Sequence, residues 1–112
     1  MRRVYRKPGL TIDSERQKVL RRGEPAPMTP KEYRLLVYFV ERPGRFQTPG
    51  ELRKGVGELQ QYAEESVKWQ IANPRRKVED HPSTPRRIVA VWGMGYRYEP
   101  VSGGPDESAL AA

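Results

Sequence analysis

The sequence predicts a small α+β domain: an antiparallel sheet, then three helices, then a β-hairpin. Three observations carry that expectation. Short apolar pieces between positions 4 and 28 are separated by turn residues and are too brief for helices. Thr29-Pro-Lys-Glu32 and Thr48-Pro-Gly-Glu51 each combine a capping threonine, a proline preset for the first helical turn and a glutamate that can bond back to the cap. Finally, Ile88-Val-Ala-Val-Trp92 and Tyr96-Arg-Tyr98 flank Gly93-Met-Gly95, a pattern of two strands around a glycine-bearing turn.

Composition bounds what such a domain can do. At 112 residues there is room for one modest core. Charged residues make up 31% of the chain, hydrophobic residues 36%, and the mean hydropathy is -0.86. The longest apolar run, Leu35 to Val40, is far short of the roughly 20 residues that span a bilayer, so no membrane partner is expected. No signal peptide is recognisable behind Met-Arg-Arg, and cytoplasmic residence is the expectation. The absence of cysteine excludes disulfides, thiolate nucleophiles and cysteine-held metals. A net charge of +7 and a pI near 10 favour a polyanionic partner. Residues 1 to 22 hold eight cations against Asp13 and Glu15, a local balance of +6, so charge alone does not locate a binding site.

Taken in order, Val4-Tyr5, Gly9 to Ile12, Lys18 to Leu20 and Pro25 to Met28 are the extended pieces, and Pro25 and Pro27 suit a sheet edge. The first helix is expected from Pro30 to Glu41 with Leu35, Leu36, Phe39 and Val40 inward, stopped by Pro43-Gly44. A short second helix places Leu52 and Val56 four apart, and glycines 55 and 57 end it. Gly57 to Tyr62 is the connecting loop, with Leu59 and Tyr62 read as packing down rather than presented.

The stretch from Glu64 to Val78 reads as an amphipathic helix. Val67, Ile71, Pro74 and Val78 form one apolar stripe at i, i+4, i+7 and i+11. Lys68, Gln70, Ala72, Asn73, Arg75, Arg76 and Lys77 fall off it. Cations can neutralise phosphates, carboxamides offer paired donors and acceptors to base edges, and a small residue permits close approach. The competing interpretation of Arg75, Arg76 and Lys77 is a solvated turn that complements the helix dipole. His81 to Pro85 is a loop leading to the hairpin.

Two capped helices, a third helix and a hairpin make a winged helix-turn-helix plan. The expected boundaries are a basic segment at 1–8, the winged-helix domain at 9–100, and a tail at 101–112 with too little to bury to stay ordered.

Six segments in this order resemble one family. Thr29-Pro-Lys-Glu-Tyr-Arg-Leu-Leu36, Arg42-Pro-Gly-Arg45, Val67-Lys-Trp-Gln-Ile71, Arg75-Arg-Lys-Val78, Pro85-Arg-Arg-Ile88 and Val91-Trp-Gly-Met-Gly-Tyr-Arg-Tyr98 are similar to the winged-helix DNA-binding output domain of OmpR/PhoB-type two-component response regulators. The resemblance runs from about Gly9 to Glu99. It implies a four-stranded N-terminal sheet, a third helix in the DNA major groove, a wing near the minor groove, possible contact of the Gly57 to Tyr62 loop with RNA polymerase, and head-to-tail pairs on direct repeats. It also implies that Gln70, Ala72, Asn73 and Arg75 face bases or nearby phosphates, while Glu65 and Ser66 stand at the helix start where phosphate can be met. Carboxamides at 70 and 73 suit adenine, so A·T pairs are expected under the helix.

Three positions depart from the family pattern. Pro74 replaces a usual apolar residue such as leucine and removes an amide hydrogen bond, a loss worth about 3 kcal/mol in a helix interior, so a kink near Ile71 to Pro74 is expected. Ala72 replaces a long polar or basic residue. Trp92 stands where several members place a wing arginine; it joins the DNA-binding candidates, although packing at the base of the wing is its favoured interpretation. A complete regulator of this type also carries a phospho-accepting receiver domain, for which 112 residues leave no room, so either an excised output domain or a stand-alone winged helix is expected. If excised, control by phosphorylation comes from outside this sequence.

No enzyme and no cofactor is read here. His81 beside Asp80 lacks the convergent ligands of a metal or acid-base site. Gly93-Met-Gly95 lacks the third glycine and following helix of a dinucleotide fingerprint. The competing function is a winged-helix protein-interaction module with weak or non-specific DNA binding and aromatic anchors at Tyr62 and Trp92. Double-stranded RNA is disfavoured because its deep, narrow groove does not admit a helix.

Overall fold

The computed structural model describes residues 4–7 and 9–99. The sheet takes in strands β1 (Val4–Lys7), β2 (Leu10–Asp13), β3 (Lys18–Arg21) and β4 (Glu24–Pro25), antiparallel in sequence order. It therefore starts ahead of the boundary expected at residue 9. Leu10, Ile12 and Val19 point to the core, as period-two alternation requires. The β3–β4 turn is formed by Arg22 and Gly23, both at positive φ, the backbone that a tight two-residue hairpin demands.

Helix α1 (Pro30–Val40) and helix α2 (Pro49–Gly55) each begin with a complete capping box, on Thr29/Glu32 and Thr48/Glu51. Tyr33, Leu35, Leu36, Phe39 and Val40 of α1 are buried, together with Leu52 and Val56 from the α2 region. In the connection that follows, Leu59 is fully buried and Tyr62 packs against the core, accepting a hydrogen bond from Lys31 Nζ at 3.0 Å. This leaves Gln60 and Gln61 exposed.

The third helix starts later than its amphipathic pattern suggests. Glu64–Ser66 forms a single 3-10 turn, and α3 runs from Val67 to Val78. Ser66 makes no side-chain capping bond. The expected stripe of Val67, Ile71, Pro74 and Val78 is the buried one. The helix passes through Pro74 without a break. The proline ring forfeits the bond to the Gln70 carbonyl but is buried in the core stripe, where its apolar surface offsets part of that loss.

The wing is the hairpin of β5 (Ile88–Val91) and β6 (Gly95–Tyr98), with Ile88 opposite Tyr98 at its buried base. One bridge between Gln47 and Tyr96 adds the α1–α2 connection to its edge. The packing expected for Trp92 is corrected here. Trp92 lies in the turn beyond Val91, 99% exposed, because strand alternation has ended there and no element stands behind the tip. The tail at 101–112 lies outside the described residues. Among them, no helix is long and apolar enough to cross a membrane.

Candidate nucleic-acid interface

Opposite the buried stripe of α3, the spacing i, i+3, i+4, i+7 brings Trp69, Ala72, Asn73 and Arg76 onto one outward face. Trp69 and Arg76 are exposed, and Ala72 and Asn73 are half-buried. Arg76 Nη1 donates to Asn73 Oδ1 at 2.9 Å, so a cation and a carboxamide already share this face. Lys68 is exposed at the edge, its ammonium 5.0 Å from the centre of the Trp69 ring.

The other sequence-derived candidates occupy the flanks. Arg75 turns toward the wing, where its Nε donates to the Ile88 carbonyl at 3.1 Å and its guanidinium lies 5.6 Å from the Tyr96 ring centre. Burial lowers its pKa below the ordinary arginine value. Lys77 turns to the other side and donates to Glu32 Oε1 at 2.5 Å. Burial alone raises the pKa of Glu32, but the Lys77 hydrogen bond and those from Thr29 outweigh it and leave the carboxyl below its usual range. Gln70 lies on that same flank by helical angle, its Oε1 buried without a partner among the described residues. Ser66 precedes the helix, and Trp92 stands at the wing tip, at the opposite end of the hairpin from the Arg75 contact.

Sequence reasoning thus brought Asn73, Ala72 and Arg76 together correctly as surface residues of one helix, but passed over Trp69. The signal was available: Trp69 lies three, four and seven residues before those three, directly across the helix from Ile71 and Val78.

Charged groups buried behind the helix hold its C-terminus to the wing and the sheet. Glu79, 3% exposed, accepts from the backbone amides of Arg86, Arg87 and Ile88 at 2.8–3.0 Å. Arg87, 2% exposed, donates through Nη1 to the Val78 carbonyl at 2.8 Å. Asp80 receives Arg22 through two bonds of 2.7 and 2.9 Å and Arg21 through one of 3.1 Å. The Arg22 hydrogen bonds, opposed by burial and aided by the charge of Arg87 and the Arg21 hydrogen bond, hold the Asp80 carboxyl far below its ordinary value. A rigid helix with both flanks tied down and one face left open can present a fixed pattern of donors, acceptors and apolar surface to a groove of matching width.

Residues 23–98 match the protein family described as "Transcriptional regulatory protein, C terminal". The chain is 31% identical over 96 residues to the uncharacterized transcriptional regulatory protein YcbL of Bacillus subtilis, covering 85% of this chain and 42% of that protein. It is 35% identical over 98 residues to the transcriptional regulatory protein KdpE of Mycobacterium tuberculosis, covering 86% and 43%. The chain therefore spans less than half the length of these relatives. In structure it is similar to the response regulator DrrB, a Thermotoga maritima OmpR/PhoB homolog, with a TM-score of 0.75 at 26% identity over 86% of this chain and 44% of that one. It shares its fold with the Klebsiella pneumoniae RstA DNA-binding domain, solved in complex with RstA box, with a TM-score of 0.77 at 24% identity over 88% and 98%.

Proposed function

Since the chain belongs to the family of C-terminal domains of transcriptional regulatory proteins of the OmpR/PhoB type, we propose that it binds double-stranded DNA, with α3 in the major groove and the wing near the minor groove. One observation carries this reading: the open face of α3 combines Asn73, Arg76 and Lys68 with Trp69 and Ala72, while Arg75 and Lys77 brace the helix from either side. Lys68 and Arg76 supply phosphate contacts, and Asn73 supplies the base-reading carboxamide, suited to adenine. Arg75 and Lys77, engaged within the protein, are positioning residues first. Gln70 stands at the edge of the contact and Ser66 at its start. Trp92 reaches the neighbouring groove from the wing tip without an arginine's charge.

In the same reading, the exposed Gln60 and Gln61 are the part of the Gly57 to Tyr62 loop open to RNA polymerase. Domains pair head to tail on repeated sites; where the domain is joined to a receiver domain, phosphorylation there supplies control, and as a stand-alone winged helix it acts without it. A second reading, docking to a protein, is favoured by the exposed Trp92 and by Met94, 51% exposed beside it.

Salt dependence and substitution separate the two. For DNA binding, affinity falls steeply as salt rises, and Lys68→Ala weakens binding to all duplexes alike and reduces the salt slope by about one. Asn73→Ala costs about 1–3 kcal/mol of discrimination at one position. Equal losses from both substitutions on every sequence remove the base-reading assignment.

A further inference from the structure

Trp69 is 64% exposed at the centre of the open face of α3, and nothing in the fold accounts for an indole left there. Its surroundings on that face are Lys68, Ala72, Asn73 and Arg76, a mixture of positive charge and carboxamide that a duplex complements and an apolar protein groove does not. On the major-groove edges of the bases, adenine, guanine and cytosine present hydrogen-bonding atoms, and the apolar group is the C5-methyl of thymine. An indole carried into that groove on a braced helix has one apolar target.

We propose that Trp69, with the Ala72 methyl beside it, is a specificity-determining residue that reads thymine through its 5-methyl group. The proposal rests on α3 being the DNA-facing helix. It adds a contact that hydrogen bonding by Asn73 does not provide. Asn73 selects adenine through N6 and N7, whereas Trp69 selects a methyl group irrespective of the base's hydrogen-bonding pattern. The contact is apolar, so its contribution persists at salt concentrations that weaken the phosphate contacts. The half-buried Ala72 leaves the indole room beside it, which a long side chain at that position would fill.

The test uses the 112-residue chain and a duplex selected by it from a randomised library. Each thymine in turn is replaced by deoxyuridine, which deletes one methyl group and leaves base pairing unchanged. At one or two positions the wild-type chain loses affinity about fourfold, the value of one buried methyl group. Trp69→Ala binds the parent duplex more weakly and shows no further loss on uracil replacement at those positions. Replacing a cytosine by 5-methylcytosine elsewhere in the site leaves binding unchanged for both proteins. A uracil effect of equal size in wild type and Trp69→Ala, or no uracil effect in the wild type, overturns the thymine assignment while leaving DNA binding intact. Failure of the wild type to select any duplex overturns the DNA reading itself, and this proposal with it. Thermal unfolding of Trp69→Ala matching wild type shows that the exposed indole is not a folding determinant.

Discussion

Arg75 Nε donates to the carbonyl oxygen of Ile88 at 3.1 Å, joining the last turn of α3 to the base of the wing. The nine residues between the two elements, 79–87, already tie back to the helix end through the buried Glu79 and Arg87, and this bond adds a direct link from the helix to the first wing strand. Loss of a hydrogen bond from a charged donor costs about 1–3 kcal/mol. Arg75→Ala is expected to lower stability by that amount in urea unfolding and to weaken every duplex alike. Arg75→Lys is expected to recover little, since an ammonium lacks the planar fork that lets Nε face the carbonyl while the guanidinium stacks by Tyr96.

The wing has a second anchor in Gly95. Its φ is +110°, and a Cβ built on it would stand 2.3 Å from the Gln47 carbonyl oxygen, backbone that cannot step aside. Tyr96 and Gln47 exchange backbone hydrogen bonds of 2.7 and 2.9 Å at this point. Gly95→Ala is expected to cost about 2 kcal/mol or more, from the left-handed backbone and the clash together. Hydrogen exchange should show the loss of protection centred on Tyr96 and Gln47, with the α1 core amides exchanging only through global unfolding. Unchanged protection at Tyr96 would contradict the assignment.

Asp80 makes stability depend on acid. Its folded pKa lies below the unfolded value of about 3.9, so the stabilisation is fully present above that value and is lost as pH falls from there toward the lower folded pKa. Unfolding free energies of wild type and Asp80→Asn are expected to differ by a constant amount from pH 7 to about pH 5 and to converge below about pH 4. A gap that stays constant down to pH 2 would contradict the ionic role.

Pro74 deprives the Gln70 carbonyl of its helical partner. Pro74→Leu restores that amide while keeping an apolar side chain in the core stripe, and is expected to raise stability by up to about 3 kcal/mol. If DNA affinity rises with it, the proline only weakens the helix. If affinity falls while stability rises, the local geometry at Pro74 belongs to the working surface.

Much of this fold was legible in local chemistry. The two capping boxes, the apolar stripe through Val67, Ile71, Pro74 and Val78, and the turn glycines are each written within a few neighbouring residues. What escaped depends on partners distant in sequence. Arg75 looked like a surface cation because nothing near it announces the Ile88 carbonyl, and Lys77 because Glu32 lies far away in α1. Glu79 and Arg87, both buried, carry no local sign of that burial for the same reason. Trp92 was read as packing because an indole suggests a core, whereas its position one residue beyond the last strand pair leaves it nothing to pack against. Trp69 is legible from helical angle alone, since it falls opposite the apolar stripe among charges and carboxamides.

The most direct test of the central claim is selection from a randomised duplex-DNA library by the purified chain at two salt concentrations, about 50 and 200 mM, with the recovered sequences read out. The account predicts enrichment of a motif containing A·T pairs, bound with an affinity that falls steeply at the higher salt. Absence of any enriched motif, with only salt-sensitive adhesion to all duplexes, would contradict it and show that the open face of α3 does not read DNA sequence.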